Sequence, residues 1–284
     1  MNYQWYPGHM TKAKRMMQEN IKLIDLIIEL VDARIPLSSR NPDIDELGQN
    51  KSKMILLNKS DLADPVYNKQ WISYFEGQGA HVLEINSKTG AGIKGIQGVV
   101  QEACKEKLER DRKRGIVNRP VRAMVAGIPN VGKSTFINSF AGKACTRTGN
   151  KPGVTRGKQW IRLNRNLELL DTPGILWPRF EDQQVGMHLA FIGSMNDEII
   201  ILEELACDLL SCLETLYPEA VTDRYGVEWK DSPAEMLESI ARARGCILKG
   251  ESIDLKKAAS ILLDDFRSGR LGRITIEYPM KERG

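Results

Sequence analysis

Residues 121–134 read Val121-Arg122-Ala123-Met124-Val125-Ala126-Gly127-Ile128-Pro129-Asn130-Val131-Gly132-Lys133-Ser134. The first six predict a buried strand, and the residues from Lys133 onward suit a helix. Between them, Gly127 to Ser134 fits G-x-x-x-x-G-K-[ST], a strand–loop–helix phosphate cradle. Glycines let consecutive backbone N–H groups curl around a β-phosphate, and the following helix presents its positive N-terminal end. Lys133 offers a charge to β- and γ-oxygens, and Ser134 a hydroxyl to Mg²⁺. Asn130, Val131, Gly132 and Thr135 complete the contacts expected of this loop.

Downstream, Asp171-Thr172-Pro173-Gly174 begins 37 residues after Ser134, at the end of a predicted strand. An aspartate there holds Mg²⁺ through water, and the Gly174 N–H meets a γ-phosphate. Thr155, in the loop Lys151-Pro152-Gly153-Val154-Thr155, is placed to complete the metal shell. Upstream lies Asn58-Lys59-Ser60-Asp61. The Asp61 carboxylate can accept two hydrogen bonds from the N1–H and N2–H₂ edge of guanine, whereas adenine offers no such donor pair. Asn58 is positioned to bond guanine N7 and to bracket the loop, and the Lys59 stem to lie along the base plane. These are the parts of a GTP site, but the base reader precedes the phosphate loop, and the metal turn follows both.

Strands are expected over Ile24–Val31, Met54–Leu57 and His81–Ile85, with helices over 9–20, after Pro65, and from Gly92 to Glu109. Gln159–Leu163 and Leu167–Leu170 flank Asn164-Arg165-Asn166 and predict a hairpin. Strands alternating with helices imply an α/β fold with a mostly parallel sheet covered on both faces. After Pro178, apolar residues recur at helical spacing through 185–217, 234–244 and 255–266. The expected organisation is a nucleotide domain over 1–178 and a smaller all-α C-terminal domain over 179–284.

The composition of the 284 residues, 42% hydrophobic and 27% charged, is that of a soluble globular protein. The longest apolar run, Ile21 to Val31, is interrupted by Lys22, Asp25 and Glu29 and is too short to span a bilayer. No signal peptide is evident, and the five cysteines are scattered, which predicts free thiols in a reducing cytoplasm. Charge is uneven. Residues 181–284 hold 12 basic and 20 acidic side chains, whereas residues 1–180 hold 29 and 17. The surplus of positive charge on the nucleotide part favours a larger polyanion. A local basic run in the tail (Arg242, Arg244, Lys249, Lys256, Lys257, Arg267, Arg270 and Arg273) is a candidate RNA-facing surface.

Three motifs in this order resemble the circularly permuted class of Ras-like P-loop GTPases, and within it the YlqF/RbgA family of ribosome-biogenesis GTPases. The opening Trp5-Tyr6-Pro7-Gly8-His9-Met10 and the strand end Asp32-Ala33-Arg34 strengthen the resemblance. It implies a GTPase, slow alone and stimulated by its partner, that controls a late step of large ribosomal subunit assembly. The partner would be a large-subunit precursor and its rRNA, bound in the GTP form by a monomer with no membrane attachment. The cofactor expected is Mg²⁺; Asn130 stands where GTPases that use K⁺ in place of an arginine finger coordinate that ion, the alternative being an asparagine that stabilises the loop. The family's fifth guanine motif is usually Ser-Ala-Lys; here it is Asn86-Ser87-Lys88, with the Ser87 N–H placed to reach guanine O6.

Where glutamine-dependent Ras-like enzymes orient the attacking water, this chain has Ile175, matching the family's hydrophobic replacement. Permutation leaves residues 1–20 to fill the place of the helix that ordinarily follows the metal turn, which makes His9 the catalytic candidate. It also joins Gly174 almost directly to the helical tail through Trp177-Pro178. A GTP-sensing RNA-binding module with incidental hydrolysis is the alternative reading, and an ATP-using kinase is opposed by Asp61.

Overall fold

The computed structural model describes residues 8–116, 119–146, 159–176 and 182–279. Among the described residues six strands form one sheet: β1 (Leu26–Asp32), β2 (Ser52–Asn58), β3 (His81–Glu84), β4 (Val121–Gly127), β5 (Gln159–Arg162) and β6 (Leu167–Asp171). Their order is β3-β2-β1-β4-β6-β5. Every pairing is parallel except the β5–β6 hairpin. All seven residues of β1 are buried, as a central parallel strand covered on both faces requires.

The chain runs outward from β1 to β3, then returns to lay β4 on the other side of β1. The carboxyl ends of β1 and β4 therefore flank a topological switch point, where open α/β sheets bind ligands. The phosphate loop leaves β4 at that crevice.

Helices α1 (Gly8–Asn20), α2 (Pro42–Leu47), α3 (Pro65–Gly77), α4 (Ile96–Ala103), α5 (Lys105–Lys113) and α6 (Lys133–Ala141) accompany the sheet. The helix expected from Gly92 to Glu109 is divided at Cys104, whose φ of −106° and ψ of 9° leave the helical basin. α2 was not anticipated. It starts as a capped helix should, with Asn41 accepting from the Asp43 N–H and Pro42 in the first turn.

The remainder is helical: α7 (Gln183–Phe191), α8 (Leu202–Leu216), α9 (Pro218–Tyr225), α10 (Pro233–Ala243) and α11 (Leu255–Ser268). The apolar run expected to be helical over 185–217 is interrupted at Gly193, where φ is 73° and an added Cβ would lie 3.3 Å from the Arg267 guanidinium. Among the described residues no helix is long and apolar enough to cross a membrane.

One apolar core runs from the sheet (Leu30, Val125, Leu169) through Ile175 and Leu176 into the helical half (Leu189, Phe191, Leu205, Leu262). A smaller cluster around Leu57, Trp71 and Phe75 fills another side of the sheet. The helical half is therefore built onto the sheet, and the expected boundary at 178 falls within 177–181, outside the described residues.

After α11 the chain turns back across the nucleotide half. Ile274 N–H donates to Leu62 O at 2.9 Å, and Ile276 N–H to Arg34 O at 2.9 Å. Trp71 Nε1 donates to Glu277 O at 3.1 Å. Arg34, 1% exposed, forks onto both oxygens of Asp32 at 2.8 Å and donates to the α11 carbonyls of Phe266 and Arg267. Burial alone would push the Asp32 carboxyl up, but Arg34 and Lys59 outweigh it and hold the group well below the ordinary carboxylate range.

Candidate functional site

β2, β4 and β6 deliver the three motifs to one edge of the sheet. β2 ends at Asn58, in register with Asp32; β4 ends at Gly127; β6 ends at Asp171, in register with Val125. The joint between base reader and phosphate loop is Asn58, 2% exposed. Its Nδ2 donates to Val131 O at 2.7 Å. Its Oδ1 accepts from the Ser87 N–H at 3.0 Å and the Ser87 hydroxyl at 2.8 Å. One side chain thus ties together three segments that are far apart in sequence.

The phosphate loop needs its glycines for close approach as well as for curvature. Gly127 has φ 149°, and a Cβ there would meet Leu30 O at 2.6 Å; Gly132 has φ 104°, and its Cβ would meet Asn58 Nδ2 at 2.5 Å. Asn130 takes the left-handed region at φ 58°, and its Nδ2 donates to Gly193 O at 2.7 Å. Val131 is fully buried. Ser134 and Thr135 lie in the first turn of α6.

Lys133, 7% exposed, curls back into the loop. Its Nζ donates to Gly127 O at 3.0 Å and to Ile128 O at 2.7 Å. The metal turn closes on the same loop, since a Cβ on Gly174 would lie 2.8 Å from Pro129 Cα and 2.9 Å from Lys133 Nζ. Burial lowers the Lys133 ammonium from its ordinary value and raises the Asp171 carboxyl, each charge opposing the other's shift. Both Asp171 oxygens are buried with no hydrogen-bond partner among the described residues. A buried carboxylate in that condition fits a hydrated Mg²⁺ ion.

On the base side, Ser60 donates to Ile85 O through its N–H and its hydroxyl. Asp61 lies on a short 3₁₀ turn, Ser60–Leu62, with its side chain exposed. Lys59 adopts φ 57°, and its Nζ reaches Asp32 Oδ2 and Asn130 O, each at 3.0 Å. Asn86 accepts from the Lys88 and Thr89 N–H groups at 2.9 and 3.0 Å.

Two expected contacts are modified by this network. The Ser87 N–H is engaged by Asn58, so a contact with guanine O6 shares or replaces that bond. Asn58 acts first as the bracket, with a single amide hydrogen left for N7.

Ile175 is 1% exposed. Its carbonyl accepts from Asn41 Nδ2 at 3.2 Å, so its side chain belongs to the core and not to a water. His9 lies on α1, but its side chain is outside the described residues, as is Thr155 with its loop. The tail's basic run is partly used internally. Arg267 pairs with Asp197, Arg270 pairs with Asp265, Arg244 donates to Arg224 O, and Arg273 donates to Ala63 O and Ser60 O. Arg242, Lys249, Lys256 and Lys257 remain exposed.

A family model described as 50S ribosome-binding GTPase matches residues 122–222. That span takes in the phosphate loop and the metal turn and leaves Asn58 outside, as permutation demands. Ribosome biogenesis GTPase A of Bacillus cereus is 47% identical over 280 residues, covering 98% of this chain and 95% of that protein. This chain belongs to the ribosome biogenesis GTPase A family. The member from Thermotoga maritima is 32% identical over 97% of this chain and 94% of its own. The crystal structure of GNP-bound YlqF from T. maritima matches with a TM-score of 0.67 at 28% identity, over 95% of this chain and 99% of that one. Its GDP-bound form gives 0.66 at 27% identity. The protein is a GTPase with a mostly parallel α/β sheet and a helical C-terminal region.

Asp32 and Arg34 belong to none of the three nucleotide motifs. The signal was a pair of opposite charges closing an apolar strand, which burial obliges to find partners.

Proposed function

We propose that this GTPase acts in a late step of large ribosomal subunit assembly, docking on the precursor's rRNA with GTP bound and leaving after hydrolysis. The observation that carries the partner is the 47% identity to Ribosome biogenesis GTPase A over nearly the whole of both chains. The switch has a physical route. Gly174 packs on Pro129 and Lys133, and Ile175 and Leu176 already belong to the core shared with the helical half. A γ-phosphate drawn to the Gly174 N–H therefore moves residues on which that half is packed. Residues 1–178 form the nucleotide unit and 179–284 the rRNA-facing unit of a cytoplasmic monomer.

Asp61 selects guanine. Lys133 leaves the Gly127 and Ile128 carbonyls to hold β- and γ-oxygens. Ser134, Thr155 and Asp171 would hold Mg²⁺, which would supply positive charge against the phosphates. The Asn130 amide nitrogen anchors the loop to Gly193, which leaves its oxygen as a ligand for K⁺. Turnover is accordingly expected to be faster in KCl than in NaCl at equal ionic strength, and equal rates would remove the ion from the mechanism.

With Ile175 buried, the attacking water is positioned by His9, at the start of α1. His9→Ala is expected to keep GTP affinity and lose about 10²- to 10⁴-fold in partner-stimulated turnover, the range typical of a positioned proton acceptor. Full turnover in that variant would end the assignment.

The proposal as a whole is tested by sedimenting cell extract with GDP or a non-hydrolysable GTP analogue. Co-migration with large-subunit precursors under the analogue alone is expected. Identical migration under both nucleotides would contradict it.

A further inference from the structure

The turn that carries Asp61 is held locally by Asn68, whose Nδ2 donates to Ser60 O at 3.3 Å, and by Ile85, and it is held again from the far end of the chain. Between α11 and the last described residues, the segment runs alongside Ser60–Asp64 and grips it residue by residue. Arg273 Nη2 donates to Ser60 O at 3.1 Å and Arg273 Nε to Ala63 O at 3.0 Å. Ile274 N–H donates to Leu62 O between them, at 2.9 Å. Thr275 Oγ1 accepts from the Asp64 N–H at 3.0 Å. Gly269, at φ 79°, permits the approach, since a Cβ there would lie 2.6 Å from Leu62 Cδ2.

We propose that Arg273 is a positioning residue for guanine recognition. Its guanidinium bridges the carbonyls on either side of Asp61 and thereby fixes the angle at which that carboxylate meets the purine. The planar fork suits the task, because two donors leave one rigid group toward two carbonyls, which a lysine cannot reproduce. Two features separate this role from general stability. The Arg273 side chain is exposed, so removing it opens no cavity in the core. Its polar contacts among the described residues go to the base-side turn and to neither the phosphate loop nor the metal turn. The inference rests on the reading of Asp61 as the guanine selector.

The test uses the full chain, unaltered and as Arg273→Ala and Arg273→Lys, titrated with GTP, GDP and ITP, whose base lacks the N2 amino group. In Arg273→Ala, GTP and GDP affinities are expected to fall together by about tenfold, as two lost hydrogen bonds at a surface would allow. ITP affinity should fall less, and the preference for GTP over ITP should shrink. KM should rise while kcat at saturating GTP holds, and Arg273→Lys should lie between. An equal fall for all three nucleotides, or no fall, overturns the inference while leaving Asp61 in place. An unaltered protein that does not distinguish GTP from ITP would remove Asp61 as the base reader, and the inference with it.

Discussion

Lys133→Ala is expected to weaken GTP binding by about 10²- to 10⁴-fold and to bring hydrolysis to the limit of detection. Two charge-assisted hydrogen bonds to phosphate oxygens are lost, each contributing roughly 1.5–3 kcal/mol. GDP should lose less than GTP, because the γ-oxygen contact is absent from it. The buried Asp171 oxygens, unpartnered among the described residues, would also lose the cation that opposes their burial. Equilibrium titration with both nucleotides checks this. Equal losses for GTP and GDP would mean that the Lys133 ammonium does not reach the γ-phosphate.

Asp61→Asn is expected to invert base preference. A carboxylate accepts twice from the guanine N1–H and N2–H₂ edge; an asparagine accepts once and donates once, which clashes with the guanine amino group and matches the xanthine C2 carbonyl. GTP affinity should fall by about 10²- to 10⁴-fold, since an unmatched polar edge is penalised far more than a missing methylene. XTP affinity should rise by a comparable factor. Turnover at saturating XTP should approach that of the unaltered protein with GTP, because the phosphate end of the site is untouched. Competition among GTP, XTP and ATP reads the result. An asparagine variant that still prefers GTP would move the selecting group elsewhere.

What could be read from the sequence was local. Gly127–Ser134, Asn58–Asp61 and Asp171–Gly174 are runs of four to eight residues whose chemistry is complete within the run, and the alternation around them indicated a parallel sheet. What could not be read were the partners that close the site. Asn58 meets Val131 and Ser87, Asn130 meets Gly193, and Arg273 meets Ser60. Contacts between residues so distant in sequence leave no period or spacing behind.

The tail's basic run follows the same rule. Read along the chain, Arg267, Arg270 and Arg273 resemble Lys256 and Lys257, yet Asp197, Asp265 and the base-side carbonyls take the first three. The break at Cys104 and the packing of the helical half on the sheet were hidden for a related reason. Apolar periodicity indicates that a face is buried and is silent on what buries it.

The most direct test is calorimetric titration of the unaltered protein, Lys133→Ala and Asp61→Asn with GTP and Mg²⁺, with ATP as competitor. The arrangement of β2, β4 and β6 predicts a single binding event per chain, weakened by either substitution and undisturbed by excess ATP. Two independent events, each sensitive to only one substitution, or displacement by ATP as readily as by GTP, would contradict the assembly of the permuted motifs into one guanine-nucleotide pocket.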